Sequence, residues 1–117
     1  MSRILRGDVH LVSLDPAKGA EIRKTRPALI LQNDLANRHS PITIVAAITS
    51  SVGEGRYPTE VPIEPPEGGL VKPSVVLLNQ LRSVDQRRLV RRLGRLGPAT
   101  MRRVERAHKL SLGLLPI

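Results

Sequence analysis

A chain of 117 residues has room for one domain, read here as residues 1–117, and its core must be aliphatic, since Phe and Trp are absent and Tyr57 is the single aromatic. That composition excludes stacking on aromatic side chains as the main grip on nucleic acid, and the lack of cysteine excludes disulfides and thiolate metal sites. The net charge of +9 is concentrated: residues 82–109 hold ten Lys/Arg against Asp85 and Glu105, which is +8 of the total, and the remainder is close to neutral. Such a block suits a polyanion or an acidic protein partner; its bland alternative is a solvated helix face.

The N-terminal residues are charged (Arg3, Arg6, Asp8), with no apolar leader, and no run approaches the length of a membrane span. The expectation is therefore a soluble cytoplasmic protein with no membrane role. For the same reason Arg6-Gly7-Asp8 does not read as an adhesion tripeptide. Runs rich in Val, Ile and Leu predict strands over residues 8–14, 27–32, 42–49, 60–63 and 74–81. Pro27 suits a strand start and Pro62 an edge strand, because proline cannot donate to a ladder. Residues 42–48 are apolar almost throughout, which predicts a central strand buried on both faces. Asp34 is placed to cap a short helix over residues 35–38. The breaker-rich stretches 50–58 and 64–73 predict loops of the kind that carry sites. Val84, Leu89, Val90 and Leu93, ended by Gly94, predict a short amphipathic helix over 83–93. A second helix follows, with Pro98 at its start, Met101, Val104, His108 and Leu112 on one face, and Gly113 at its end. Strands followed by terminal helix mean α+β.

Several pieces in register resemble the MazF/PemK-type toxin endoribonucleases. They are Arg6-Gly7-Asp8, Gly19-x-Glu21, Lys24-x-Arg26-Pro27, Ala28-Leu29-Ile30-Leu31, Ile42-Thr43-Ile44-Val45-Ala46-Ala47-Ile48-Thr49-Ser50, Gly68-Gly69-Leu70, and Ser74-Val75-Val76-Leu77-Leu78-Asn79-Gln80-Leu81-Arg82. The tail at residues 89–94 and Leu112-Gly113-Leu114 fits too, so the resemblance spans almost the whole chain. No single piece is specific; the order of all of them is. The resemblance implies a small SH3-like β-barrel with a C-terminal helix, of the kind these toxins share with the gyrase-poisoning toxin CcdB. It also implies a homodimer with an RNA groove across the two subunits, and a cognate antitoxin whose acidic tail lies over that groove.

RNA can be cut without metal or cofactor, because its own 2′-hydroxyl attacks the adjacent phosphorus. The protein must remove a proton, stabilise a crowded phosphorane and protonate the leaving oxygen. Arg26, where a loop enters the sheet, has the donor fork that matches phosphate oxygens and corresponds to the family's catalytic arginine; its alternative is a surface arginine paired with an acid. Thr49 ends the buried strand, so its hydroxyl is expected at the rim, with Ser50 assisting; an ordinary strand-end threonine is the alternative. Glu21 is the carboxylate placed to act as base, to hold Arg26, or merely to be solvated, and the residues do not choose. Gln80 and Arg82, two apart, face the same way and resemble RNA-contacting positions, or form a cross-strand polar pair. Lys24 and Arg56 sit on loops from which they can hold a phosphate. His10, His39 and His108 show no ligand spacing, so no metal site is expected; His108 reads as a core or interface residue.

Three functions remain in play. The first is a sequence-selective endoribonuclease toxin acting on single-stranded RNA, chiefly mRNA. The second is a non-catalytic toxin that binds gyrase, since one barrel supports both. The third is a basic RNA-binding module without cleavage, whose binding would fall steeply with salt.

Overall fold

The computed structural model describes residues 3–14, 25–50 and 57–116. In chain order these form β1 (Asp8–Ser13), β2 (Thr25–Ile30), α1 (Asp34–His39), β3 (Ile42–Thr49), β4 (Glu60–Ile63), a 3-10 turn (Glu67–Gly69), β5 (Ser74–Asp85), a second 3-10 turn (Gln86–Arg88), β6 (Leu89–Arg95) and α2 (Pro98–Ser111). The strands make one antiparallel sheet in the order β4-β5-β3-β2-β1-β6. β3 is central, as its composition predicts, and Thr43 and residues 45–48 are buried. β4, which contains Pro62, is an edge. Pro27 is opposite Leu11 on β1, while the ladder to β3 begins one residue later at Ala28–Ala47, so the missing N–H interrupts nothing on that side.

Side-chain alternation gives the sheet two apolar faces. One carries Val9, Leu29, Ile48, Val76 and Leu78 and packs under α2 through Val104 and Ala107. The other is smaller: Val12, Leu14, Ala28, Ile30, Val45 and Val84, with Leu89 against them. Each fully buried aliphatic side chain contributes roughly 1.5–3 kcal/mol. α2 starts at Pro98 behind Gly97, where a missing N–H costs no helical hydrogen bond. It ends at Ser111 with Leu112 as its cap, followed by Gly113 at φ +75°, whose N–H donates to the Leu110 carbonyl at 3.2 Å.

The sheet curls towards a barrel. β5 pairs with both β4 and β3 and is irregular between Leu77 and Leu81, where three residues are passed over and the strand bends. β6, at the opposite edge, swings round until Gly94 touches the backbone of the Glu67–Gly69 turn that follows β4. A Cβ on Gly94 would lie 2.5 Å from the Gly68 carbonyl carbon, and one on Gly69 would lie 2.0 Å from the Leu93 oxygen. No ladder joins β4 to β6 among the described residues, so the curl ends in packed backbone rather than hydrogen bonding.

Three local expectations are corrected. Residues 83–93 are not a helix: β5 continues to Asp85, a single 3-10 turn follows, and β6 pairs with β1. Val84 belongs to the smaller core face and Val90 is exposed, so the four apolar residues never share a helix face. The cap of α1 is Asn33, whose Oδ1 accepts from the Ala36 N–H at 2.8 Å; Asp34 lies in the first turn and accepts from the Arg6 N–H at 2.6 Å. Leu112 is exposed, because the helix ends before its side chain can join the Met101–Val104 face.

Candidate active site

Arg26 sits on β2 opposite Val12, and Thr49 ends β3 opposite Val75. The β2–β3 ladder closes at Ala28–Ala47, and Arg26 and Thr49 each lie two residues beyond that pair. They therefore lie on one sheet face, the one that carries Ala28 and Val45, at the place where the two strands part. Both are half-buried. The gap between the strands opens into a cleft of about 120 Å³ lined by Arg26, Pro27, Ile48, Ser50 and the segment leading into β5, including Lys72 and Ser74. Thr49 is next to this cleft rather than in its wall. Pro27, Ile48 and Leu70 give one side of the cleft an apolar lining beside Arg26 and Lys72.

Lys72 and Ser74 were not singled out from the sequence. Ser74 is buried and its hydroxyl donates to the Lys72 carbonyl at 2.8 Å, which fixes the chain where the lysine leaves it. Their signal was available in Gly68-Gly69-Leu70: with Gly68 at φ +69° and Gly69 at φ +72°, the chain turns back over the rim just before Lys72.

The other candidate residues are divided. Ser50 is exposed and in the cleft wall. Gln80 lies in the irregular stretch of β5 and Arg82 pairs with Val45, so neither is in that wall. Arg82 instead donates through Nη1 to the Leu14 carbonyl and ties β5 to the end of β1. It shares the sheet face of Arg26 and Thr49, because Val45 and Thr49 are an even number of residues apart on β3. Glu21, Lys24 and Arg56 lie outside the described residues.

The basic block resolves into two surfaces. Arg87, Arg88, Arg91, Arg92 and Arg95 follow the β6 edge, and Arg102, Arg103, Arg106 and Lys109 follow α2. Charges on an edge strand also oppose sheet-to-sheet pairing. Buried Asp8 anchors the first surface: it accepts from Arg95 Nη1 at 2.9 Å and the Leu5 N–H at 3.1 Å, with Arg92 Nε at 3.4 Å. Arg87 holds the Asp85 carboxyl below its ordinary range, chiefly through the side-chain hydrogen bond and then through its backbone N–H. Burial lowers the pKa of His10, partly opposed by Asp8, and Arg92 lowers it further. His108, half-buried on α2, is lowered by burial and by Arg6. Among the described residues, no group of three or more His, Asp or Glu side chains could hold a metal ion.

Fold and cleft define a class, that of small basic α+β proteins built on a curled antiparallel sheet with a terminal helix. MazF from Deinococcus radiodurans superposes with a TM-score of 0.82 at 25% identity, covering 97% of this chain and 99% of that one. An endoribonuclease in complex with its cognate antitoxin, from a mycobacterial species, superposes at 0.80 with 26% identity over 97% and 99%. Residues 5–112 match the model of the PemK-like, MazF-like toxins of type II toxin–antitoxin systems, and the endoribonuclease MazF of Staphylococcus epidermidis is 45% identical over 111 residues, 95% of this chain and 92% of that protein. The chain belongs to the PemK-like, MazF-like toxin family.

Proposed function

We infer that this chain is an endoribonuclease toxin of a toxin–antitoxin system that cleaves single-stranded RNA, chiefly mRNA, by attack of the 2′-hydroxyl on its own phosphodiester. The observation that supports the reading is a cationic cleft lined by Arg26 and Lys72, with Thr49 at the end of the neighbouring strand, in a chain belonging to this toxin family.

The O2′–P bond forms and the P–O5′ bond breaks. The proton from O2′ passes to a base and O5′ receives a proton, leaving a 2′,3′-cyclic phosphate and a 5′-hydroxyl. Arg26 offers its fork to the non-bridging oxygens as charge builds on the phosphorane; a fixed donor of this kind is worth roughly 10²–10³ in rate. An arginine holds its proton tightly, so it suits this role better than proton donation. The Thr49 hydroxyl donates to a phosphate oxygen or orients O2′, and Ser50 and Lys72 hold the neighbouring backbone. Glu21 either takes the O2′ proton or positions Arg26. Lys24, Arg56, Gln80 and Arg82 are proposed to contact the flanking RNA.

The working form is a cytoplasmic homodimer, and a protein of net charge +9 suits an antitoxin with an acidic tail. The described residues include no helix long and apolar enough to cross a membrane. End-group analysis of a long single-stranded RNA incubated with the protein in EDTA tests the reading. Discrete fragments with cyclic-phosphate ends are expected; intact RNA would reject the nuclease and favour a protein target.

A further inference from the structure

Cleavage needs a proton for the leaving O5′, and neither Arg26 nor Thr49 is suited to supply it. An arginine keeps its proton. An alcohol is no stronger an acid than the alcohol that leaves, which sets aside Thr49, Ser50 and Ser74 alike. Among the described residues that line the cleft there is no Asp, Glu, His or Tyr. Lys72 is the remaining lining group with a proton to give.

The strand order places it well. β3 lies between β2 and β5, and the cleft is lined from all three: Arg26 and Pro27 from β2, Ile48 and Ser50 from the end of β3, Lys72 and Ser74 from the entry to β5. Arg26 and Lys72 therefore flank the end of β3, on chains two strand spacings apart, about 10 Å. Both side chains are long, and a phosphate over the end of β3 has one on each side. In-line displacement sets the entering O2′ and the leaving O5′ on opposite sides of phosphorus, so O5′ can face Lys72 while Arg26 holds the non-bridging oxygens. A cleft of about 120 Å³ is well below the roughly 300–1,000 Å³ of small-molecule sites, so it fits a phosphate with its ester oxygens rather than a whole nucleotide.

The backbone from which the lysine projects is fixed. The Ser74 hydroxyl donates to the Lys72 carbonyl at 2.8 Å, and Pro73 restricts the residue before it to extended conformations. The ammonium itself has no ion-pair partner among the described residues, so no carboxylate competes with the substrate for it. Lys72 is also exposed, so water can restore its proton after each turnover.

We propose that Lys72, beyond its contact with the RNA backbone, is the general acid of the reaction. As the P–O5′ bond breaks and its electron pair passes to O5′, an Nζ–H bond breaks and the proton forms the 5′-hydroxyl. Lys72 is left as the neutral amine and regains a proton from solvent. The inference rests on the nuclease reading and names the proton donor that reading leaves open.

The test compares two single-stranded RNA substrates of one sequence, all-oxygen RNA and RNA with sulfur in place of O5′ at the cut site. A thiolate leaves without being protonated, so the sulfur substrate has no use for an acid. On all-oxygen RNA, folded Lys72→Met is expected to lose about 10²-fold or more in rate. Lys72→Arg is expected to lose nearly as much, because it keeps the charge but holds its proton. On the sulfur substrate both variants should come back to within a few-fold of wild type, while Arg26→Ala stays slow on both substrates. Lys72→Met as fast as wild type on all-oxygen RNA overturns the assignment. So does an equal loss on the two substrates, or full activity in Lys72→Arg, since either makes Lys72 a source of charge alone. Rescue of Arg26→Ala by sulfur would assign the proton to Arg26 instead. A wild type that cuts neither substrate overturns the nuclease reading and Lys72 with it, so the two failures are told apart.

Discussion

Replacing Gly94 by alanine tests the curl of the sheet directly. The new Cβ would lie 2.5 Å from the Gly68 carbonyl carbon, 2.6 Å from the Gly69 nitrogen and 2.9 Å from the Gly68 oxygen. All three are backbone atoms, so no side-chain rotation relieves the clash, and β6 or the turn must move by about 1 Å to reach ordinary contact. Overpacking typically costs about 1–3 kcal/mol, and contact with backbone on three sides puts this site at the upper end. About 3 kcal/mol is a large share of the 5–15 kcal/mol usual for a domain. It corresponds to a fall in Tm on the order of 10–15 °C for a chain of this size. Urea unfolding followed by circular dichroism measures it. Gly97→Ser is the control: its Cβ meets only Glu67 Oε2 at 3.6 Å, and serine is a good N-cap, so it should stay within about 0.5 kcal/mol of wild type. A Gly94→Ala protein equally close to wild type would refute the packing of β6 on the turn, and with it the account of how the Lys72 segment is held at the cleft.

Other outcomes follow from the same geometry. Leu78→Ala, at a position with no exposed surface, should cost about 2–5 kcal/mol in urea unfolding. Thr49→Val should slow RNA cleavage by about 10²-fold while leaving the melting curve nearly unchanged. Stability should fall on acidification from pH 7.5 to 5.5. The folded-state pKa values of His10 and His108 are lowered from 6.5, so between the folded value and 6.5 the unfolded chain binds more protons. The contribution is full above about pH 6.5 and is lost as pH falls through the folded values. Urea midpoints at the two pH values measure this, and His10→Phe should flatten the difference.

Most of the sheet was legible because its signals are local. The apolar run of β3, Pro27 at the start of β2, Pro62 on an edge and Pro98 at the start of α2 each act through their own backbone, and each lies where its chemistry predicts. β6 was not legible because its partner is β1, some eighty residues away, and nothing nearby marks that pairing. Register shifts between Val9 and His10 and between Leu11 and Val12 also break its alternation. Arg91 and Arg92 are consequently both exposed, and the remaining apolar spacing imitates a helix. Arg26, Thr49 and Ser50 lie at or near the strand ends where the sequence puts them. Lys72 and Ser74 reach the cleft only through the turn at Gly68 and Gly69, and the state of His10 depends on which groups have already taken Asp8. The turn is signalled only by its pair of glycines, and the state of His10 has no local signature.

The central claim is that Arg26 stabilises the transition state of RNA cleavage. The most direct measurement is the rate of cutting a long single-stranded RNA in EDTA by the wild type and by Arg26→Ala, with both proteins shown to be folded by circular dichroism. The account predicts a loss of at least about 10²-fold in the variant. Equal rates in the two folded proteins would contradict it and move the chemistry away from this cleft.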